Sequence, residues 1–276
     1  MMVEQILEAF AGQLRAGGRS EATVEKYVRE AARFDRWLGG REVSEMLVQD
    51  YRQALAAERS AAGVNGAVAA LNALFAFLGR EECRLKAVRV QRRMFRDESR
   101  ELSGAEYRRL LAAAKGCGNE RLLLVMETIC ATGIRVSELR FFTVEAVRSG
   151  RAEVCNKGKS RTVFLPAKLQ KVLMKYVRAQ KIAAGPVFVT RNGRPLDRSN
   201  IWHDMKRLCR EAGVAESKVF PHNLRHLFAR TYYSLEKDIV RLADILGHSS
   251  INTTRIYTME SGRTHRRQLE RMRLVM

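Results

Sequence analysis

The sequence predicts a mainly α protein with one small β-hairpin or sheet, organised as two domains. Three observations carry that reading. Apolar residues recur at helical spacing through roughly the first eighty residues, interrupted by Gly-Gly pairs. Residues 84–100 then turn basic and lose the period. Beyond them helical patterning resumes, broken by two short β-prone runs around a polar loop.

Taken in order, the first helix lies in MVEQILEAFAGQL, where Ile6, Leu7, Phe10 and Leu14 fall at helical spacing. Gly17-Gly18 breaks it. Ser20 starts SEATVEKYVREAARFDRWL, with Val24, Tyr27, Ala31, Phe34 and Leu38 on one face, and Gly39-Gly40 stops it. Ser44 opens a third helix to about Glu58. A fourth runs from about Ala62 to Leu78, with Val64, Val68, Leu71, Phe75 and Leu78 inward. Four helices with short breaks make a small bundle over 1–83. Residues 84–100, RLKAVRVQRRMFRDESR, carry seven basic and two acidic residues and read as an interdomain linker. A basic linker suits a chain that wraps a duplex, because each neutralised phosphate releases counterions. A solvated charged loop has the same composition.

The second domain, 101–276, opens on Ser-Gly-Ala-Glu at 103–106, a capping-box pattern ahead of EYRRLLAAA. A helix over ERLLLVMETICA ends at Gly133. AEVC and TVFL flank NKGKSR and read as a hairpin. Helix resumes over 167–183, VFVT at 187–190 reads as a short strand, and Asn192-Gly193 as a turn. From Ser199 onward the pattern is mostly helical, with breaks near Gly213, Pro221 and Gly247.

Composition narrows the function. Hydrophobic residues make up 46% of the 276, enough for a core, and charged residues 29%. Fifty Lys and Arg against thirty Asp and Glu give a net charge of +20 and a pI near 10.4. That imbalance fits a polyanionic partner, most often nucleic acid. Five cysteines occur with no C-x-x-C pair, which argues for reduced thiols. The N-terminus lacks the basic and apolar regions of a signal peptide, and no apolar run approaches the ~20 residues that span a bilayer. A cytoplasmic, nucleoid-associated protein with no membrane partner is expected.

For chemistry, the chain lacks a phosphate loop of the G-x-x-x-x-G-K-[ST] form, an H-E-x-x-H motif, and an obvious carboxylate set for two Mg²⁺ ions. The two histidines of HNLRH at 222–226 have no further His or Cys at ligand spacing, so neither a metal nor another cofactor is expected. Metal-free cleavage of a phosphodiester needs a side-chain nucleophile and fixed cations around the charged transition state. Candidates are present. Arg135 lies in ATGIRVSEL just after a Gly break, and Lys157 in the hairpin loop. His222 and Arg225 sit i,i+3 on a helix starting near Pro221 and share a face. His248 follows Gly247, and Tyr257 lies nine residues further on in TTRIYTM.

In this order and at these spacings, ATGIRVSEL, the hairpin lysine, HNLRH, ILGH and TTRIYT resemble the tyrosine recombinase (phage integrase) family. The resemblance covers about 102–260. It extends more weakly to the N-terminal helices, which look like that family's SAM-like core-binding domain. It implies a two-domain recombinase fold, a SAM-like helical domain plus a mostly α catalytic domain, clamped in a C shape around duplex DNA. One departure is RFFTVEAV after ATGIRVSEL, where the family usually shows a leucine-rich stretch with an acidic residue. Phe141, Phe142 and Val144 keep its apolar character.

The family's roles transfer position by position. Arg135 and Arg225 would clamp the non-bridging oxygens of the scissile phosphate, a bidentate task for guanidinium forks. Tyr257 would attack phosphorus and form a 3′-phosphotyrosyl bond. A free tyrosine has a pKa of ~10, so it needs a base, and His222 is the candidate. Lys157 would protonate the leaving 5′-oxygen, with Lys159 as its rival in the same loop. His248 would hydrogen-bond the phosphate. His226 and Glu138 read as supporting partners, and Tyr232 and Tyr233 as core residues of the HNLRH helix. Religation by another 5′-hydroxyl conserves the bond, so no ATP is required.

The resemblance also implies an inverted-repeat DNA site and a homo-oligomer, a tetramer on two sites. With the helical lobe starting near residue 1, a further N-terminal DNA-binding domain is not expected, which suits an Xer-type or small mobile-element recombinase. Alternative functions are a non-cleaving accessory protein on this fold, or a relaxase resembling type IB topoisomerases. The C-terminal tail, 261–276, carries five Arg and one Glu. Leu269, Met272, Val275 and Met276 offer a face that could dock on a neighbouring protomer, or the tail could lie on DNA or in solvent.

Overall fold

Serine caps and paired glycines set the helix boundaries of the N-terminal unit. The computed structural model describes residues 2–90, 97–156, 158–190, 192–259 and 262–274. The chain divides into two compact units, Met1–Arg92 and Arg93–Met276. In the first, α1 (Met2–Ala16), α2 (Glu21–Leu38), α3 (Glu45–Glu58) and α4 (Ala61–Phe77) pack as a bundle. The Ser44 and Ser60 hydroxyls accept the Leu47 and Gly63 amides at the starts of α3 and α4. Gly39 ends α2 at φ +59, a conformation that costs glycine little. Phe34 anchors the core, edge-on to Phe75 at 5.7 Å and tilted on Tyr51 at 5.1 Å.

Two expectations for this unit change. Leu78 is 39% exposed rather than inward, because α4 ends at Phe77 and Leu78 is its cap. The first part of the basic segment is an extended strap on the bundle. Asn72 pairs with both backbone groups of Leu85, at 2.8 and 2.9 Å, and Asn65 does the same for Val88. The two asparagines are i,i+7 on α4, so they share a face. Leu85 is buried behind them.

In the second unit, α5 (Gly104–Gly116) begins with the expected capping box between Ser103 and Glu106. Next, α6 (Glu120–Thr132) ends on Gly133, and a 3₁₀ turn over Val136–Phe141 leads into α7 (Val144–Ser149). Strands β1 (Arg151–Asn156) and β2 (Lys159–Phe164) are antiparallel, in register from Arg151↔Phe164 to Asn156↔Lys159. The ladder therefore takes in most of NKGKSR, and Lys157 lies outside the described residues.

After the hairpin, α8 (Ala167–Ala179) stops short of the expected residue 183, where Lys181 takes φ +53. VFVT is no strand. Val187 and Phe188 are buried, but only the isolated bridges Thr143↔Pro186 and Val189↔Pro195 flank them, so no ladder builds among the described residues. The turn at Gly193 forms, its N–H donating to the Thr190 carbonyl at 3.0 Å.

The remaining helices are α9 (Arg198–Ala212), α10 (Pro221–Glu236), α11 (Ile239–Leu246), α12 (Ile251–Thr254) and α13 (Gly262–Met272). A 3₁₀ turn over Arg255–Tyr257 follows α12. The core includes Leu110, Met126, Ile129, Phe142, Val154, Leu173, Phe188, Met205 and Leu224. Leu269 and Met272 on α13 are exposed, and Val275 and Met276 lie outside the described residues. Among the described residues no helix is long and apolar enough to cross a membrane.

Candidate active site

Pro221 sits at the first position of α10, where its missing N–H costs nothing. The helix register then turns Arg225 into the unit, where it is 1% exposed. Its Nη1 donates to the Gly133 carbonyl at 2.6 Å and its Nη2 to the Leu246 carbonyl at 2.7 Å. Both carbonyls lie at helix ends, beside the left-handed Gly133 and Gly247. Nη2 also reaches His248 Nε2 at 3.0 Å. Among the described residues no carboxylate pairs with Arg225. Burial, then the charge of Arg135, lowers its pKa to about 10, so it stays a cation at neutral pH.

Arg135 caps the 3₁₀ turn that follows Gly133. Glu138 holds it twice, accepting the Arg135 backbone N–H at 2.8 Å and Nη1 at 3.0 Å. Its guanidinium stays partly exposed, lining a cleft with Lys159, Arg161, His248 and Thr253. Glu138 is 1% exposed. Burial alone would push its carboxyl up, but hydrogen bonds from Arg161 and from the Arg135 backbone hold it at about 2.

The His248 tautomer follows from its partners. Arginine can only donate, so Nε2 accepts from Arg225 and the proton sits on Nδ1. Nδ1–H then donates to Thr254 Oγ1 at 2.8 Å. Burial, then the charges of Arg225 and Arg135, lowers the His248 pKa to about 4. Both ring nitrogens are therefore engaged within the protein, and the ring links the buried arginine to the segment that carries Tyr257.

Tyr257 ends the 3₁₀ turn and is 5% exposed. Its ring packs with Ala229, Leu242 and Leu246, with Tyr232 and Tyr233 at the edge of that cluster. It lies parallel to His248 at 6.1 Å between centroids and edge-on to His226 at 4.9 Å. His226 in turn meets His222 edge-on at 4.5 Å. His226, not His222, is thus the ring beside the tyrosine. His226 Nε2 is buried with no hydrogen-bond partner. Burial, then the charges of His222 and Arg230, takes its pKa to about 3. His222 is more exposed. What desolvation it meets, with the charges of Arg225, Arg135 and Arg198, lowers its pKa.

The structure thus brings Arg135, His222, Arg225, His248 and Tyr257 into one continuous set. It adds two residues that sequence reasoning missed, Arg161 and Thr254. Arg161 had a signal. In KSRTVF it alternates with Val163, which is buried, so period-2 patterning places it on the inward face. Among the described residues no group of three or more His, Cys, Asp or Glu has metal-binding geometry.

The neutral rings have a consequence for stability. The folded pKa values of about 3 for His226 and about 4 for His248 lie below the ordinary 6.5. Between these limits the unfolded chain binds more protons, so stability is full above pH ~6.5 and falls as pH drops toward ~4. Each ring contributes a slope of up to about 1.4 kcal/mol per pH unit. Urea unfolding should therefore show stability falling over that interval, and His226→Gln should flatten the fall. An unchanged slope in His226→Gln would contradict a ring kept neutral in the folded state.

Comparison with known proteins agrees in both units. The sequence profile of the phage integrase family matches residues 100–263, and that of the phage integrase N-terminal SAM-like domain matches 7–82. The chain is 29% identical over 290 aligned residues to tyrosine recombinase XerA of Pyrococcus furiosus, covering 98% of this chain and 95% of that protein. Its fold matches a lambda integrase fragment (residues 75–356) solved as a dimer on a COC′ core site, with TM-score 0.74, 18% identity, and coverage of 94% and 96%. It also matches a lambda integrase tetramer bound to a Holliday junction, with TM-score 0.72, 18% identity, and coverage of 92% and 76%. On these matches the chain belongs to the phage integrase family of tyrosine recombinases, enzymes that break and rejoin DNA strands.

Proposed function

We propose that the chain is a site-specific recombinase that cuts and rejoins duplex DNA through a covalent bond between Tyr257 and a 3′-phosphate. The observation that carries this reading is the convergence of Arg135, Arg225, His248 and Tyr257 from four separate segments onto one contiguous set. Arg135 and Arg225 hold the non-bridging oxygens of the scissile phosphate. The Tyr257 oxygen attacks phosphorus as the bond to the 5′-oxygen breaks. His222, kept neutral by its surroundings, accepts the phenol proton, directly or through His226. A hairpin lysine, Lys157 or Lys159, protonates the departing 5′-oxygen. His248 steadies Arg225, and reaches the phosphate only by releasing its Nε2 from that arginine. Attack by a 5′-hydroxyl of the partner strand reverses the step and frees Tyr257. Phosphodiester energy is conserved, so no ATP is required, and the side-chain cations do the charge stabilisation that a metal would otherwise supply.

The DNA partner is a duplex carrying an inverted repeat, engaged by four protomers on two sites. The net charge of +20 supports a polyanionic partner, and a tetramer has precedent in the lambda integrase assembly on a Holliday junction. A nicked duplex, which loses a short strand on cleavage and so blocks religation, tests this. Wild type should give an SDS-resistant protein–DNA adduct, unaffected by EDTA, and Tyr257→Phe should give none. An adduct from Tyr257→Phe, or loss of the wild-type adduct in EDTA, would overturn the mechanism. A non-cleaving DNA-binding role predicts no adduct at all. A relaxase predicts unwinding of any supercoiled plasmid without a preferred site.

A further inference from the structure

The chemistry above gives Arg161 no part, yet its guanidinium joins three segments. From β2, its Nη1 and Nη2 donate to the two Glu138 oxygens at 2.9 and 2.8 Å, and its Nε donates to the Ile245 carbonyl at 3.0 Å. Ile245 lies in the last turn of α11, ahead of Gly247 and His248. Gly247 sits so close that a Cβ there would meet Arg161 Cδ and Nη1 at 3.0 Å. Arg161 is therefore packed flat against the backbone that presents His248.

We propose that Arg161 is a positioning residue: it occupies both oxygens of Glu138 so that the Arg135 guanidinium stays turned to the cleft, and it ties the lysine-bearing hairpin to the Arg135 and His248 segments. This deepens the recombinase reading and rests on it. A buried carboxylate facing Arg135 alone would draw that guanidinium into a bidentate pair, using the N–H groups meant for the phosphate. With Arg161 holding both oxygens, Arg135 gives Glu138 only its backbone N–H and Nη1, while its Nη2 reaches the Gly247 carbonyl at 3.5 Å. The charges facing Glu138 are Arg161 from β2, Arg135 from its own turn and Arg225 from α10. Lysine cannot substitute. Its ammonium is a single point donor that does not span two carboxylate oxygens and a carbonyl.

The test uses the full chain as wild type, Arg161→Lys, Arg161→Gln and the pair Glu138→Gln/Arg161→Gln. Each is measured for thermal unfolding, affinity for duplex DNA and rate of adduct formation on the nicked duplex at saturating protein. Arg161→Lys should still fold, with a lowered unfolding temperature, and bind DNA as wild type does, yet form the adduct about 100-fold more slowly. The pair should be faster than Arg161→Gln alone, because removing the carboxylate charge releases Arg135. A wild-type adduct rate in Arg161→Lys, or a pair no faster than Arg161→Gln, would overturn the proposal. If wild type forms no adduct, the recombinase reading fails on its own. The coupling is then decided without DNA by carbon-13 titration of the Glu138 carboxyl. It should move to higher pH in Arg161→Gln, and an unmoved titration would overturn it.

Discussion

Arg225→Lys is expected to remove most strand cleavage and to weaken the fold at the same time. The guanidinium is 1% exposed and bonds the Gly133 carbonyl, the Leu246 carbonyl and His248 Nε2. A lysine ammonium keeps the charge but cannot hold this planar set of acceptors while facing a phosphate. Hydrogen bonds from a charged group are worth about 1.5–3 kcal/mol each. Loss of one, with a buried carbonyl left unpaired, should cost about 2–4 kcal/mol in urea unfolding. Adduct formation should slow by a factor on the order of 10²–10³, the usual effect of removing one donor from a developing anion. His248 should respond too. Without Arg225 Nη2 held on its Nε2, the neutral ring loses a donor, so its pKa should rise from about 4, which proton NMR of the ring can follow. A variant with wild-type cleavage would show that Arg225 is a scaffold residue alone.

Gly133→Ala should be the most damaging small change in the catalytic unit. Gly133 has φ +66, where an L side chain costs about 1–2 kcal/mol. A Cβ there would lie 2.3 and 2.5 Å from the Phe228 ring and 3.1 Å from Leu246. Phe228 is carried by α10, so either the ring or the helix must move, at about 1–3 kcal/mol. The expected total is a loss of about 2–5 kcal/mol in urea unfolding. Function should suffer beyond that, because the displaced residue carries the carbonyl that accepts Arg225 Nη1. Phe228→Leu in the same chain should recover the steric part and leave the backbone part. If the double variant were no more stable than Gly133→Ala alone, the contact with Phe228 would not be the cause.

Much of this was legible in the sequence because helices advertise themselves locally. Ser44, Ser103 and Gly133 mark ends that the structure keeps, and Phe34 and Leu71 follow the helical period into the core. Local order in ATGIRVSEL, HNLRH, ILGH and TTRIYT, read through the family resemblance, nominated Arg135, His222, Arg225, His248 and Tyr257. What escaped is non-local. The strap at Leu85–Val88 has no period of its own, since it is held by side-chain amides from α4. VFVT has the composition of a strand, but composition does not supply a neighbouring strand. Arg161 acts through a carboxylate twenty-three positions away, and Thr254 through a ring six positions away. His226 looked like a supporting residue, and only the packed structure puts its ring against Tyr257.

The central claim is that Tyr257 is the nucleophile and the 3′-phosphate its partner. Tandem mass spectrometry of the adduct trapped on a nicked duplex tests it residue by residue. The account predicts one modified peptide, with Tyr257 joined to a nucleotide through its 3′-phosphate and a free 5′-hydroxyl on the released strand. Attachment at Tyr232 or Tyr233, or a linkage through a 5′-phosphate, would contradict it.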